Sequence, residues 1–270
     1  MNAAPRNSAI TRLRGGQKLA VRERRILLFG DSHAHAVQTA ITKRRGKGQS
    51  SHVAAYRLLK NKKNVRVGNS TLEDFLALIR DAGPEDLVVS MIGGNQHAVY
   101  STIQHPQPFD FFNPERDPVD VGVDIIPFHA LKDLFARGLR NGDARMLEAI
   151  RKATAAKVVH VIPPPPKADN EHITKYHETL FAKDLPERGV SPAMLRLKFW
   201  KLQTRLLSKI CAKLDIDILM PPDRVIDELG FLRPEFYAHD ATHGNWRYGE
   251  RIIRQLEKIH PEIPLEQDLK

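Results

Sequence analysis

Short apolar runs alternating with longer stretches of helical spacing set the rhythm of this chain. The first run, Ile26-Leu27-Leu28-Phe29, closes on Gly30-Asp31-Ser32. Four apolar residues followed by turn chemistry predict a buried strand over about Arg25–Phe29. Leu87-Val88-Val89-Ser90-Met91-Ile92 repeats the pattern and opens into Gly93-Gly94-Asn95. Its nearly continuous apolar character suits a strand covered on both faces. Val158-Val159-His160-Val161-Ile162 is a further run, stopped and stiffened by the prolines from Pro163 to Pro166. Ile216–Met220 reads as another strand, bounded by Pro221-Pro222, and a shorter one is expected over 64–67, just ahead of Gly68-Asn69-Ser70-Thr71.

The intervening stretches carry helical signals. A short helix is expected around Ala34–Ile41, and Ser50 or Ser51 is placed to cap another through Leu59. Thr71 with Asp74 three residues later offers a capping arrangement for a helix to about Ile79, ended by Gly83-Pro84. Helical character returns from about Ala130, breaks at Asn141-Gly142-Asp143 and resumes through Ala156. Ser191-Pro192 opens the longest helix, to roughly Ala212. Leu195, Phe199, Leu202, Leu206 and Ile210 form its apolar stripe, which is expected to cover the sheet. The last helix begins near Asn245 or Trp246 and runs to Ile259, so that His243 falls just before its N-terminus.

Strands alternating with helical covers predict an α/β fold: a three-layer α/β/α sandwich with a mainly parallel sheet of about five strands. Residues 1–22 combine Pro, Asn, Ser, Gly and basic residues with little apolar periodicity and are expected to extend from the core. A single domain then spans 23–262, with a short polar tail at 263–270. Residues 96–128 form a long irregular segment carrying Phe109, Phe111, Phe112 and Phe128. Segments of that length are often functional, and both a wall or lid and a packed excursion fit this one.

Composition narrows the partners more than the chemistry. The chain has 270 residues, 41% of them hydrophobic, and a formal charge of +10. That suits one large domain with a continuous core. The basic excess gathers at Arg12, Arg14, Lys18, Arg22, Arg24 and Arg25 and at Lys43-Arg44-Arg45-Gly46-Lys47. Such a surface attracts anions generally, and no specific nucleic-acid partner follows from it. Cys211 is the sole cysteine, so an intrachain disulfide and a thiolate metal cluster are both excluded; its helical setting predicts a small buried hydrophobe. No apolar leader and no membrane-length run is present, which makes cytoplasmic residence the default expectation and predicts no transmembrane association. An oligomeric partner is not specified by any of these features.

The chemistry centres on Ser32. Open α/β sheets bind ligands beyond the carboxyl ends of their strands, and Ser32 stands at such an end. A serine needs a base to become a nucleophile, and an imidazole needs a carboxylate to fix its tautomer. Asp240-Ala241-Thr242-His243 supplies both groups three residues apart.

With these residues in view, the chain resembles the SGNH/GDSL hydrolase superfamily. Gly30-Asp31-Ser32 looks like its nucleophile block and Gly68 like its second-block glycine. Gly93-Gly94-Asn95 looks like its Gly-x-Asn block, and Asp240-Ala241-Thr242-His243 like its Asp-x-x-His block. The resemblance spans about residues 25–260 through four short motifs in order. It implies Ser32 as nucleophile, His243 as general base and then acid, and Asp240 as the residue orienting His243. It also implies an oxyanion hole from the Ser32 and Gly68 N–H groups with the Asn95 amide. Many relatives continue the third block with Asp, whereas this chain has Gln96, which cannot supply that carboxylate. Asp31 is expected to hold the nucleophile turn through backbone hydrogen bonds rather than to serve as the triad acid.

His33, Gln96 and His97 are candidates for substrate binding; structural hydrogen bonding suits His35 and His239. Imidazole and carboxylate groups near Asp31 and Asn95 also permit a metal-assisted phosphoesterase, although the Gly-Asp-x-x-Asp and Gly-His-x-His blocks of those enzymes are missing. The expected activity is hydrolysis of a carboxylic ester through an acyl-enzyme, with no cofactor and no metal. The partner would be a small-molecule or carbohydrate ester, with a short acyl group on a polar alcohol slightly favoured. Transfer of the acyl group to an acceptor alcohol and a non-catalytic binding role on the same scaffold are the remaining alternatives.

Overall fold

Residues 9–12, 18–21, 24–62, 65–178 and 180–261 are described by the computed structural model of the protein. Its strands, in chain order, are β1 (Ala9–Arg12), β2 (Lys18–Val21), β3 (Ile26–Gly30), β4 (Val53–Arg57), β5 (Lys60–Lys62), β6 (Val65–Val67), β7 (Leu87–Met91), β8 (Phe109–Asp110), β9 (Asp124–Ile125), β10 (Lys157–Val161) and β11 (Asp217–Leu219). The helices are α1 (Ala34–Arg45), α2 (Leu72–Ile79), α3 (Gln96–Ser101), α4 (Phe128–Asn141), α5 (Asp143–Ala153), α6 (Asn170–Lys175), α7 (Leu185–Arg188), α8 (Ala193–Lys213) and α9 (Trp246–Ile259).

The central sheet has five parallel strands in the order β4-β3-β7-β10-β11. Its first strand, β3, lies inside the sheet. The chain goes outward from it to β4, then returns past β3 to β7. That reversal leaves a crevice beyond the carboxyl ends of β3 and β7, the place where open α/β sheets bind ligands. The strands alternate their side chains between two apolar layers. Leu27, Phe29, Val88 and Val158 face the layer formed with α2, α4, α5 and α8. Ile26, Leu28, Val89, Val159 and Val161 face α1 and α9. The α/β/α sandwich and its five-stranded parallel sheet therefore agree with the sequence-based expectation.

Membership of that sheet differs in two places. The stretch expected to be a helix from Ser50 or Ser51 to Leu59 is instead strand β4, paired with β3 from Ile26↔Val53 to Gly30↔Arg57. Ala54 and Ala55 are compatible with a helix, but the open edge of β3 offers a full ladder of backbone hydrogen bonds, and that tertiary pairing overrides local propensity. The strand expected over 64–67 is present as Val65–Val67 but stays outside the central sheet, paired antiparallel with β5. Asn64 lies outside the described residues. In the N-terminal region, β1 and β2 form an antiparallel pair of their own. Residues 1–8, 13–17 and 22–23 and the tail from 262 lie outside the described residues, and with them most of the expected extension and all of the expected tail.

Other local signals have direct counterparts. Thr71 and Asp74 form a reciprocal capping box on α2, the Thr71 hydroxyl accepting from the Asp74 N–H and the Asp74 carboxylate from the Thr71 N–H. Asn245 caps α9 by accepting from the Arg247 and Tyr248 N–H groups. Cys211 is fully buried, and burial pushes its thiol up to about 12.

Two features escaped the apolar pattern. Segment 96–128 is pinned into the core at its middle. Phe111 is fully buried with its ring 5.2 Å from that of Phe199. Asp110 accepts from Lys198 Nζ at 2.7 and 2.8 Å. This part of the segment is a packed excursion. The long helix α8 buries its stripe residues Leu195, Phe199, Leu202 and Leu206, but it also buries Arg196, Lys198 and Gln203. These three hold backbone of the surrounding loops. Arg196 donates to the carbonyls of Ser191, Lys167 and Ala168, and Lys198 to that of Phe111. Gln203 donates to the carbonyl of Gly93 and accepts from the His97 N–H.

The Lys198–Asp110 pair should matter through the charge left behind when it is broken. Lys198→Met is expected to lower unfolding free energy by about 3–5 kcal/mol in urea titration, because Asp110 stays buried without its partner. The double variant Asp110→Asn/Lys198→Met should recover part of that loss.

Candidate active site

The crevice beyond β3 and β7 is built from two loops locked side by side. Gly30 pairs with Met91 in the parallel ladder, and the Asp31 N–H continues it by donating to the Met91 carbonyl at 3.3 Å. The Asp31 carboxylate accepts the His33 N–H at 3.1 Å and reaches the Gly94 N–H at 3.5 Å. Asp31 therefore fastens the turn, as its place in the sequence predicts. Ser32 sits half-buried on this turn, ahead of α1. The next side chain, His33, turns inward and is 4% exposed. It lies over Gly94 so closely that a Cβ there would be 2.0 Å from the ring. Glycine at 94 is thus required by the close approach of an imidazole.

The Asp240–His243 turn faces this loop. Asp240 Oδ1 accepts the backbone N–H groups of Thr242 and His243, at 3.0 and 2.8 Å. Its Oδ2 lies 2.8 Å from His243 Nδ1. One carboxylate thereby shapes the turn and orients the ring. The His243 ring lies 4.6 Å from the His33 ring, centroid to centroid, tilted by 47°. Its Nε2 is buried and makes no hydrogen bond among the described residues. The Ser32 hydroxyl is therefore not hydrogen-bonded to Nε2.

Electrostatics separates the histidines. For His243, burial opposes charging, but the Nδ1 hydrogen bond to Asp240 and then the nearby Glu178 carboxylate outweigh it and raise the group to about 9. Burial also opposes charging of Asp240; its bond to His243 wins and holds the carboxyl well below its ordinary range. His33 is pushed down to about 4 by burial and by the neighbouring His243, and His97 to about 3 by burial and by His33. One ring is thus favoured as imidazolium while two neighbours stay neutral.

The other expected site residues are placed unequally. Asn95 begins α3 without using its side chain as a cap, and it lies beside the His33 ring. Gly68 has φ +96°, a left-handed conformation, and packs against the Arg57 and Leu58 carbonyls; a Cβ would come within 2.4 Å of the latter. Because the Leu58 N–H donates to the Gly30 carbonyl at 2.8 Å, Gly68 is tied to the end of β3 through one intervening backbone segment. His97 is buried in the cluster with its Nδ1 unbonded. Gln96 is directed elsewhere: its side chain donates to the Phe135 carbonyl at 3.3 Å and lies against Gly138 of α4. His35 and His239 are exposed, and the His239 ring sits 4.9 Å from that of Tyr176.

Three charged groups at the site have no motif to announce them. Lys167, buried beneath the Asp240 turn, donates to the Ala238 carbonyl at 2.8 Å and to the Asp240 carbonyl. Burial pushes it down to about 8. Glu178, between α6 and α7, accepts the Thr242 hydroxyl at 2.6 Å and the Ala241 N–H at 3.1 Å. Asp143, opening α5, packs against Gly93; burial and then Asp31 push it up to about 6. The only sequence signal for Asp143 is the helix break around Asn141-Gly142.

Among the described residues, Glu178, Asp240 and His243 are the one trio whose ligand-type atoms fall within 4.8 Å of one another. Within this trio the closest pair is Asp240 Oδ2 and His243 Nδ1 at 2.8 Å. Asp31 and His33 form no such trio. The basic run at Lys43–Lys47 contributes to a groove with Trp246, Arg247 and Arg251 on the α1–α9 face, which includes none of the site residues. Arg44 within it is occupied by Glu250 and Glu257. No helix among the described residues is long and apolar enough to cross a membrane.

No protein-family model and no curated protein matches this chain. Solved structures with a similar chain trace include a GDSL-like lipase from Bacteroides thetaiotaomicron, 14% identical, covering 88% of this chain and 87% of that one, with a TM-score of 0.44. A carbohydrate acetylesterase from Sinorhizobium meliloti is 15% identical, over 87% and 99% of the two chains, with a TM-score of 0.43. The periplasmic domain of a lipopolysaccharide acetyltransferase from Salmonella ser. Paratyphi A is 13% identical, over 87% and 83%, with a TM-score of 0.46. At such scores these likenesses add nothing to the chemistry, which rests on this chain's own residues.

The His243 network should leave a pH signature in stability. His243 is raised from 6.5 to about 9, so its contribution is full below 6.5 and is lost as pH rises through about 9. Asp240 and Glu178 are lowered from 3.8 and 4.5, so theirs is present above those values and lost as pH falls. The difference in urea midpoint between wild type and Asp240→Asn should therefore be largest between pH 4.5 and 6.5 and shrink toward about 9.

Proposed function

We propose that this chain is a serine-dependent carboxylic ester hydrolase of the SGNH/GDSL type. The observation that carries the reading is the state of His243. Asp240 holds its Nδ1, its Nε2 is buried and unbonded, and its ring lies 4.6 Å from that of His33, the residue next to Ser32. A ring fixed on one nitrogen and open on the other is the arrangement a general base needs.

In this mechanism Ser32 Oγ attacks the acyl carbon as its proton passes to His243 Nε2. The carbon–oxygen bond to the alcohol then breaks, and the alcohol leaves with that proton. Water repeats the sequence: His243 takes a proton from it, the hydroxide attacks the acyl-enzyme, and Ser32 regains its proton as the acid is released. The Ser32 and Gly68 N–H groups and the Asn95 amide would receive the oxyanion. Asp31 keeps the nucleophile turn in place, and Asp240 stabilises the imidazolium. The substrate would be a short-chain O-acyl group on a carbohydrate or other polar alcohol, a choice supported by the polar, histidine-rich surroundings of Ser32.

An ester panel of p-nitrophenyl acyl esters and acetylated sugars tests the reading. Ser32→Ala should lower kcat by on the order of 10⁴-fold or more and abolish the acyl-enzyme seen by mass spectrometry, with the circular dichroism spectrum unchanged. Turnover by that variant at the wild-type rate would exclude the mechanism. Product analysis with added sugar separates hydrolysis from acyl transfer. Because the base must be neutral to act, kcat/KM is expected to rise about tenfold per pH unit below about 9 and then level.

A further inference from the structure

His243 meets a second carboxylate besides Asp240. Glu178 Oε1 lies 3.4 Å from Nδ1, against 2.8 Å for Asp240 Oδ2. The Thr242 hydroxyl bridges the two partners, donating to Glu178 Oε1 at 2.6 Å while its oxygen lies 3.2 Å from Nδ1. Glu178 Oε2 accepts the Ala241 N–H at 3.1 Å, so the carboxylate is tied to the Asp240–His243 turn itself. Its own loop is anchored as well. Ile173, Phe181 and Leu185 make a small apolar cluster with Ala241, which seats segment 173–185 against the catalytic turn. A residue fastened at both ends in this way has a fixed distance to the ring.

Accepting the serine-hydrolase reading of the site, we infer that Glu178 is a positioning residue: a second carboxylate that shares the Nδ1 proton with Asp240 and sets the pH at which His243 becomes a base. An imidazolium between two carboxylates is favoured over one beside a single carboxylate, because each added negative charge stabilises the cation. The other ionisable groups facing the ring are His33 on the nucleophile turn, which burial keeps neutral, and His35 on α1, which opposes its charging. Lys167 lies behind Asp240 and acts in the same direction by offsetting the carboxylates. Asp240 remains the primary partner, since it lies nearest Nδ1 and also accepts the Thr242 and His243 N–H groups. Glu178 moves the working range upward and keeps the Nδ1 proton in place when Nε2 is neutral.

The test separates this role from catalysis. In full-length Ser32→Ala labelled with ¹⁵N-histidine, the His243 ring is followed by NMR from pH 5 to 10.5, its signal assigned by loss in His243→Asn. Glu178→Gln is expected to lower the His243 transition by about one pH unit or more, a tenfold change in its protonation equilibrium. Glu178→Asp, which keeps the charge but shortens the reach, should fall between; it also serves should the Gln variant not fold. An unmoved transition in either variant overturns the inference.

In the serine-containing enzyme, with p-nitrophenyl acetate as substrate, the acid limb of kcat/KM should shift downward by the same amount in Glu178→Gln. A uniform fall in rate at every pH with the limb unmoved would show a structural role only and overturn the inference. If wild type fails to hydrolyse esters while the NMR transition still moves, the pairing of Glu178 with His243 stands and the esterase reading fails.

Discussion

The parallel register between β3 and β7 is the constraint on which the site depends. Pairing Gly30 with Met91 puts two loops of different sequence origin at the same height on the sheet edge. Asp31 then joins them through main-chain and side-chain hydrogen bonds. A register shift of one residue would turn the side chains of β3 to the opposite layer, burying the wrong set and moving Ser32 away from Gly94 and Asn95. Burial of both sheet faces makes such a shift costly, so the apolar layers that stabilise the fold also fix the geometry of the crevice.

On that frame, buried polar groups do the fine positioning. Gln203 on α8 holds both Gly93 and the start of α3. Arg196 and Lys198 on the same helix hold the exit of β10 and the middle of segment 96–128. Each of these side chains is buried and bonds to backbone, to a carboxylate or, for Arg196, also to the Asn170 amide oxygen, where losing a partner costs more than in water. The site is thus attached to the core through hydrogen bonds whose geometry is narrow, which suits a constellation that must be held to within fractions of an ångström.

Within the crevice, environment assigns different states to similar groups. His33 and His97 are buried without a carboxylate on their ring nitrogens, and burial keeps them neutral. His243 is also buried, but the carboxylates on Nδ1 reverse the balance. Three neighbouring imidazoles therefore divide into one titratable ring and two uncharged ones. That division lets His33 pack tightly against Gly94 without introducing a second charge.

Much of this was legible in the sequence because it is local. The apolar runs that define β3, β7 and β10, the Thr71–Asp74 cap and the Asn245 start of α9 are all set by neighbours within a few residues. The Asp240–His243 pairing is local too, since three residues of one turn bring both groups together. What tertiary structure decided is non-local. The 50–59 stretch became strand β4 because the open edge of β3 was available to it, an opportunity invisible in its own alanine-containing pattern. Lys198 and Gln203 could be recognised as buried only once segment 96–128 and Gly93 were placed against α8. Glu178 reaches His243 across 65 positions of chain by way of a small apolar cluster, and Gln96 turns to α4 although it adjoins Asn95. Sequence spacing fixes which groups share a turn; which groups share a charge depends on distances that only the folded chain sets.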